Sequence, residues 1–188
     1  MVLNSDSNAD DSGKMMAGVI EWGYHLNLKG EIPMQYRVLK ECDVVFLTHI
    51  FSIPEYDLYF AENDTTEEDW KERLTFFETK QSYIISKDGT DIGWIMYTIC
   101  DDTCNLNIVV LLPEERNKGY GKEILEDLFV HNPQVGKICL DVQQRNERAV
   151  KFYKKLGFKI TGEENQPVNG IEVPYFNMVL DSSVLTTC

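Results

Sequence analysis

Three cations and two glycines crowd one short stretch of an otherwise acidic chain. Arg116, Lys118 and Lys122 interleave with Gly119 and Gly121, directly after the apolar run Ile108 to Leu112. That order reads as a buried strand, a tight basic turn and the start of a helix. Such a junction is suited to an anion. The first turn of a helix leaves its N–H groups unpaired and carries partial positive charge. Glycine lets the backbone come close to a ligand. A phosphate-bearing ligand is therefore expected along Arg116, Asn117, Lys118, Gly119, Tyr120, Gly121 and Lys122. The loop lacks the G-x-x-x-x-G-K-[ST] pattern of a P-loop, and Gly119-Tyr120-Gly121 lacks the third glycine of a dinucleotide fingerprint. The competing reading is a plain glycine turn with surface lysines.

The elements that must hold this loop follow from periodicity. Ile20, Trp22, Tyr24, Leu26 and Leu28 alternate with polar residues, the pattern of a half-buried strand. Gly30 and Pro33 interrupt it, and Met34, Tyr36 and Val38 resume as a second strand. A short helix is expected from Glu41 to Phe51, then a loop or broken helix through Asp64. Thr65 or Thr66 caps a further helix whose first turn carries Glu67, Glu68 and Asp69. Strands follow over Ser82–Ser86, Asp91–Thr98 and Asn105–Leu112, the last central and buried. A helix is expected from Gly119 to Val130, a strand over Ile138–Val142, and a helix over Glu147–Leu156 closed by Gly157 in a left-handed cap. Two strands, Lys159–Gly162 and Val173–Leu180, end the series. The fold class is mixed α/β. Residues 1–15 are polar and acidic, and are expected to be a disordered tail before a single domain over 16–188.

Composition removes several classes of function. A net charge of −13 opposes nucleic-acid binding and permits a cationic partner. No apolar run is long enough to span a membrane. The N-terminus has no apolar signal core, so a cytoplasmic location is the default expectation. The five cysteines fit neither a disulfide framework nor a zinc signature, and no metal is expected.

At the basic loop the sequence resembles the GNAT superfamily of N-acetyltransferases. Arg116-Asn117-Lys118-Gly119-Tyr120-Gly121 matches the family pattern Q/R-x-x-G-x-G/A at a strand-to-helix junction. A second block follows on the expected elements: Leu140-Asp141-Val142, Asn146 through Tyr153, and Leu156-Gly157-Phe158. The stretch Glu172 to Leu180 resembles the family's last strand, and the likeness covers roughly residues 34–180. The stretch from Asn132 to Phe158 is also similar to the aminoglycoside 6′-N-acetyltransferase and ribosomal-protein acetyltransferase branches, without choosing between them.

The resemblance implies a splayed mixed sheet flanked by helices, here with an extra N-terminal strand, and acetyl-CoA as co-substrate. It implies that the backbone N–H groups from Arg116 to Lys122 hold the CoA pyrophosphate. The backbone of Val109, Val110 and Leu111 is expected to pair with the pantetheine arm as an added strand would. Asn146 falls where relatives hydrogen-bond that arm. Tyr153 falls on the general acid that protonates the departing thiolate. Its alternative is packing, since Ala149, Phe152, Tyr153 and Leu156 share one helical face.

One departure matters. Asn105 stands where many relatives carry a glutamate that deprotonates the amine, with Asn107 nearby. Asp101 or Asp102 in the preceding turn, a water chain, or an already neutral acceptor are the alternatives. The resemblance also implies that the segment from Glu55 to Glu72 helps wall the acceptor site. It is rich in carboxylates and aromatics, so Glu55, Tyr56 and Asp57 are expected to meet a cationic amine. The expectation is thus acetyl transfer to a small-molecule amine by direct attack in a ternary complex. The alternatives are a protein N-terminus or lysine as acceptor, or a catalytically silent acyl-CoA-binding module. The strand Ile20 to Leu28 is expected to pair within its own chain or with a neighbouring subunit, the latter making a homodimer.

Overall fold

The computed structural model describes residues 33–57, 66–77, 80–168 and 170–185. Seven strands form one sheet: β1 (Gln35–Val38), β2 (Gln81–Lys87), β3 (Thr90–Cys100), β4 (Thr103–Leu111), β5 (Lys137–Gln143), β6 (Lys159–Val168) and β7 (Ile171–Asp181). Their order across the sheet is β1-β2-β3-β4-β5-β7-β6. All neighbours run antiparallel except β4 and β5, which are parallel. The helices are α1 (Val44–Phe51), α2 (Pro54–Asp57), α3 (Glu67–Phe77), α4 (Tyr120–His131), α5 (Glu147–Lys155) and α6 (Ser182–Leu185). The expected tail over 1–15 and the strand Ile20 to Leu28 lie outside the described residues.

Helices cover both faces of the sheet, and each face has its own core. On one, Ile124, Leu125 and Leu128 of α4 and Val150 and Tyr153 of α5 pack with Ile85, Ile95 and Tyr97. On the other, Leu47, Ile50 and Phe51 of α1 and Trp70 of α3 pack with Ile84, Trp94 and Met96. Phe51, Trp70 and Trp94 form an aromatic triangle with centroids 5.0–6.0 Å apart. Truncating such a buried aromatic to alanine costs about 3–5 kcal/mol, so this triangle fixes α1 and α3 on the sheet. Thr66 caps α3 as expected: its hydroxyl accepts from the Asp69 N–H at 3.2 Å, and the Asp69 carboxylate accepts from the Thr66 N–H at 2.8 Å.

The feature that shapes the site is a bulge in β4. Met96 pairs with Ile108, but Tyr97 pairs with Leu106, so Asn107 is an extra residue. One added residue flips every later side chain to the other face. Cys104 and Leu106 accordingly point to the α4–α5 core, whereas Ile108 and Val110 pack toward α1 and α3. A bulged strand also bends. β4 pairs with β5 only at Thr103–Lys137, Cys104–Ile138 and Asn105–Cys139, and the two strands part beyond that rung. β5 meanwhile stays paired with β7 along its whole length, from Lys137–Asp181 to Gln143–Tyr175.

β6 runs six residues past the Gly162 end expected from sequence, to Val168. The extension, Glu163-Glu164-Asn165-Gln166-Pro167-Val168, shows no apolar alternation because it lies on the sheet edge. Pro167 is tolerated there, where no outer strand needs its missing N–H.

Candidate active site

Where β4 and β5 part, a cleft of about 410 Å³ opens between them. α5 lines it with Asn146, Ala149 and Tyr153, and α2 lines it with Tyr56. Asn105 and Asn107 come from β4, Asp141 and Gln143 from β5. Gln166 and Tyr175 bring the β6–β7 hairpin to the rim.

Tyr153 reaches this cleft because of the helix that carries it. Asn146 caps α5, its side-chain oxygen accepting from the Ala149 N–H at 3.1 Å. The cap sets the helix phase, which turns Val150 and Tyr153 inward. The Tyr153 ring is 9 % exposed and packs between Phe152 and Phe158, each with its centroid 5.2 Å away. Burial disfavours the phenolate and pushes the pKa above the ordinary phenol value. The hydroxyl therefore keeps its proton at neutral pH, and Tyr153 is among the residues that line the cleft.

The basic loop lies where β4 ends. Leu112 leads into one 3-10 turn, Pro113–Glu115, and the chain then passes Asn117 with φ 61° and Gly119 with φ 90° into α4. Inside the loop, the N–H groups of Glu115 and Arg116 bond to Leu112 and Pro113, and those of Lys122 and Glu123 bond to Gly119. Among the described residues, the N–H groups of Asn117, Lys118, Gly119, Tyr120 and Gly121 donate to no carbonyl in the loop. The run able to hold an anion is thus 117–121, narrower than the expected Arg116 to Lys122.

The two glycines have different reasons to be there. Gly119 needs its left-handed φ, and a Cβ built on it meets nothing within 4 Å. That open space is where an anion would sit. Gly121 is set by packing: a Cβ there would stand 2.7 Å from the Phe152 ring. The missing Cβ lets α4 approach α5, and the Gly121 N–H still belongs to the 117–121 run.

The side-chain cations of the loop already have partners. Lys118 pairs with Glu115 at 2.9 Å and Lys122 with Glu126 at 2.8 Å. Such exposed pairs are weak and exchangeable. Arg116 turns away from the loop. Its Nε donates to the Leu111 carbonyl at 3.2 Å, and its guanidinium lies 4.8 Å from the centre of the Tyr56 ring.

The edge of β4 that faces the cleft can be read from the ladder. The Leu112 N–H bonds to the Ile92 carbonyl, and the register sets Leu111 opposite Gly93 and Val110 opposite Trp94. Antiparallel pairs alternate between bonded and non-bonded rungs. The N–H and C=O of Val110 therefore face β3, and those of Val109 and Leu111 face the open edge. The Val110 carbonyl lies so close to β3 that a Cβ on Gly93 would be 2.3 Å from it. Val110 thus departs from expectation: its backbone is spent on β3 and its side chain is core. Val109 and Leu111 keep groups that an extended amide-bearing chain could pair with. The residues present fit acetyl-CoA in two ways: an unpaired strand edge for pantetheine, and a run of N–H groups for pyrophosphate.

On the acceptor side the expectations divide. Tyr56 lines the cleft. The side chains of Glu55 and Asp57, and the residues Tyr59, Phe60, Glu62 and Asp64, lie outside the described residues. Asp101 and Asp102 are not at the cleft. They form the β3–β4 turn at the opposite end of β4, where Asp101 has φ 54° and the Asp102 carbonyl accepts from Gly136 and Lys137. The β4 strand itself separates them from the splayed end. Among the described residues, the carboxylate that lines the cleft is Asp141. It is held by Asn177 Nδ2 at 2.8 Å and Gln166 Nε2 at 3.3 Å. Sequence carried a signal for it: a lone acid between Leu140 and Val142, within the apolar centre of β5.

Among the described residues, no group of three or more acidic, histidine or cysteine side chains is placed to hold a metal, and no helix is long and apolar enough to cross a membrane.

The model of the acetyltransferase (GNAT) family matches residues 45–158, more than half of the chain. A peptidyl-lysine N-acetyltransferase of Salmonella typhimurium, YjaB, is 31% identical over 75 residues, which are 40% of this chain and 50% of that protein. The chain thus matches only half the length of that relative. Among solved structures, the spermidine N-acetyltransferase from Vibrio cholerae in complex with CoA and spermine superposes with a TM-score of 0.68 at 17% identity, over 82% of this chain and 98% of that one. The aminoglycoside acetyltransferase AAC(6′)-Ib in complex with ribostamycin and coenzyme A gives 0.67 at 19% identity, over 82% and 97%. At such identities these two likenesses speak to the fold.

Proposed function

The chain belongs to the GNAT family of acetyltransferases, and from that premise we propose that it transfers an acetyl group from acetyl-CoA to a primary amine on a small cationic molecule. The observation that carries this reading is the β4–β5 cleft, which has Tyr153 on one wall and Asp141 on the other. Acetyl-CoA supplies the acyl group and a thiolate leaving group. The chain's own residues do the rest. The N–H groups of 117–121 bind the pyrophosphate, and the open edge at Val109 and Leu111 aligns the pantetheine amides. Asn146 adds its amide N–H₂, since its oxygen is used by the helix cap.

The acceptor enters from the side of Tyr56, Gln166 and Asp141. An alkylammonium has a pKa near ~10.4, so at neutral pH only a small fraction of the acceptor is the neutral nucleophile. Asp141 binds the ammonium, which gives its proton through cleft water to hydroxide or buffer in solvent and so yields that neutral fraction. The neutral amine then attacks the thioester carbon, the C–S bond breaks, and the new amide nitrogen loses its remaining extra proton to solvent through the same water. Tyr153 donates its proton to the departing sulfur and recovers one from solvent. Asn105 and Asn107 line the cleft as neutral groups and carry no proton.

A peptidyl lysine is the second acceptor to consider, favoured by the 31% identity to YjaB. One screen separates the two: thiol release from acetyl-CoA against polyamines, aminoglycosides, amino acids and lysine peptides. Turnover with the small amines and none with the peptides supports the first acceptor, and the reverse pattern supports the second. No thiol release with any member would overturn the enzyme and leave a silent binding module.

A further inference from the structure

Two donors from different parts of the chain converge on one carbonyl. Leu111 is the last residue of β4, and its C=O faces the open edge. The Tyr56 hydroxyl of α2 donates to it. Arg116 Nε, from the basic loop, donates to it at 3.2 Å. The Arg116 guanidinium also stacks on the Tyr56 ring at 4.8 Å, a cation–π contact. A carbonyl oxygen offers two lone pairs, and both are in use here.

This arrangement has two consequences. Strand-like pairing along the open edge must stop at the Leu111 N–H, which leaves the N–H and C=O of Val109 and the N–H of Leu111 for pantetheine. The acceptor wall is also tied to the cofactor side. Tyr56 is 5 % exposed and held from behind by Phe51 at a centroid distance of 6.4 Å and by its N–H bond to Ile53 at 2.9 Å. Its ring lines the cleft, while its hydroxyl grips the point where β4 turns into the phosphate loop. Arg116, the first residue of the matched family pattern, is directed to this junction and not toward the 117–121 N–H run.

We propose that Tyr56 is a positioning residue: with Arg116 it clamps the Leu111 carbonyl and so fixes the acetyl-CoA seat relative to the acceptor wall. This rests on the acetyl-CoA reading above. It assigns Arg116 an indirect effect on the cofactor, exerted through the same carbonyl as Tyr56.

The test is a double-mutant cycle on CoA binding, measured by calorimetry with CoA itself. Tyr56→Phe keeps the ring and removes the hydroxyl. Arg116→Met keeps the aliphatic stem and removes the guanidinium. Each alone is expected to weaken CoA by about fivefold, the scale of one ordinary hydrogen bond. The double variant should be weaker than the poorer single by no more than about twofold, because both act through one clamp. A merely structural tyrosine would lower the melting temperature and leave the CoA dissociation constant unchanged. Tyr56→Phe with wild-type CoA affinity, or a double variant weakened by the product of the singles, would overturn the proposal. Should Tyr56→Phe not fold, Arg116→Met alone decides. The clamp requires faster amide exchange at Leu112 and at the 3-10 turn, and exchange unchanged there refutes it. Failure of the wild type to bind CoA would instead sink the acetyl-CoA reading.

Discussion

Tyr153→Phe removes one oxygen atom and separates two explanations for the same ring. The ring is 9 % exposed and wedged between Phe152 and Phe158 at 5.2 Å, so phenylalanine fills the same space. No hydrogen bond ties its hydroxyl to another described residue, and stability should change by less than about 1 kcal/mol. Catalysis should change far more. Burial raises the phenol's pKa, which keeps the proton in place until negative charge develops on sulfur. General acid catalysis is worth about 10²–10⁴-fold, and a thousandfold loss corresponds to about 4 kcal/mol of transition-state stabilisation. CoA affinity should stay within about twofold, since the hydroxyl acts as the bond breaks. The assay is single-turnover acetyl transfer to an acceptor found by the thiol-release screen, with calorimetric CoA binding and a melting curve alongside. A rate within about threefold of wild type would refute the acid role and leave Tyr153 as packing.

Four further outcomes are expected. Asp141→Asn should raise the KM for a cationic acceptor by about 10–100-fold, the value of a charged hydrogen bond, with CoA affinity unchanged; an unaltered acceptor KM removes Asp141 from the site. The rate at subsaturating acceptor should rise with pH as the amine is deprotonated and show no descending limb up to pH ~10, because Tyr153 titrates above the ordinary phenol value of ~10; a fall above pH ~8 would contradict this. Gly121→Ala must push Phe152, with 2.7 Å available, and should cost about 1–3 kcal/mol that Phe152→Leu restores, whereas Gly119→Asp should fold and lose CoA; the opposite pattern would exchange their roles. Asp127 accepts from the Tyr36 hydroxyl at 2.8 Å, and burial, with Glu123 and Glu126 nearby, raises its pKa against the pull of Tyr36 and His131. Its contribution to stability is then full below the ordinary carboxylate pKa and is lost as pH rises through the raised value, so Asp127→Asn should flatten the stability curve there; a curve of unchanged slope refutes this.

The parts of this fold that bury one face were legible from sequence. Alternation located β1, apolar runs between turns located β2, β3, β4 and β5, and helical spacing located α3, α4 and α5 with their caps at Thr66 and Gly157. The outer half of β6 was not legible, because an edge strand exposed on both faces needs no apolar pattern. The bulge at Asn107 was hidden too: it is one residue of register, visible only once β3 lies beside β4. That one residue decides which backbone groups face the cleft, so Val110 could not be told from Val109 and Leu111 beforehand. Asp101 and Asp102 are near Asn105 in sequence but at the far end of its strand. Asp141 is distant in sequence and enters through the parallel pairing of Asn105 with Cys139.

Amide hydrogen exchange resolved by residue, with and without acetyl-CoA, tests the central claim most directly. Without ligand, the Val109 and Leu111 amides should exchange faster than the Ile108 and Val110 amides, which β3 protects, and the amides of 117–121 should exchange freely. Acetyl-CoA at one hundred times its dissociation constant adds about 2.7 kcal/mol to the folded state. Beyond any global slowing from that, the account predicts selective protection of Val109, Leu111 and 117–121. Uniform protection with no local excess at these amides, or protection confined to another part of the sheet, would contradict it.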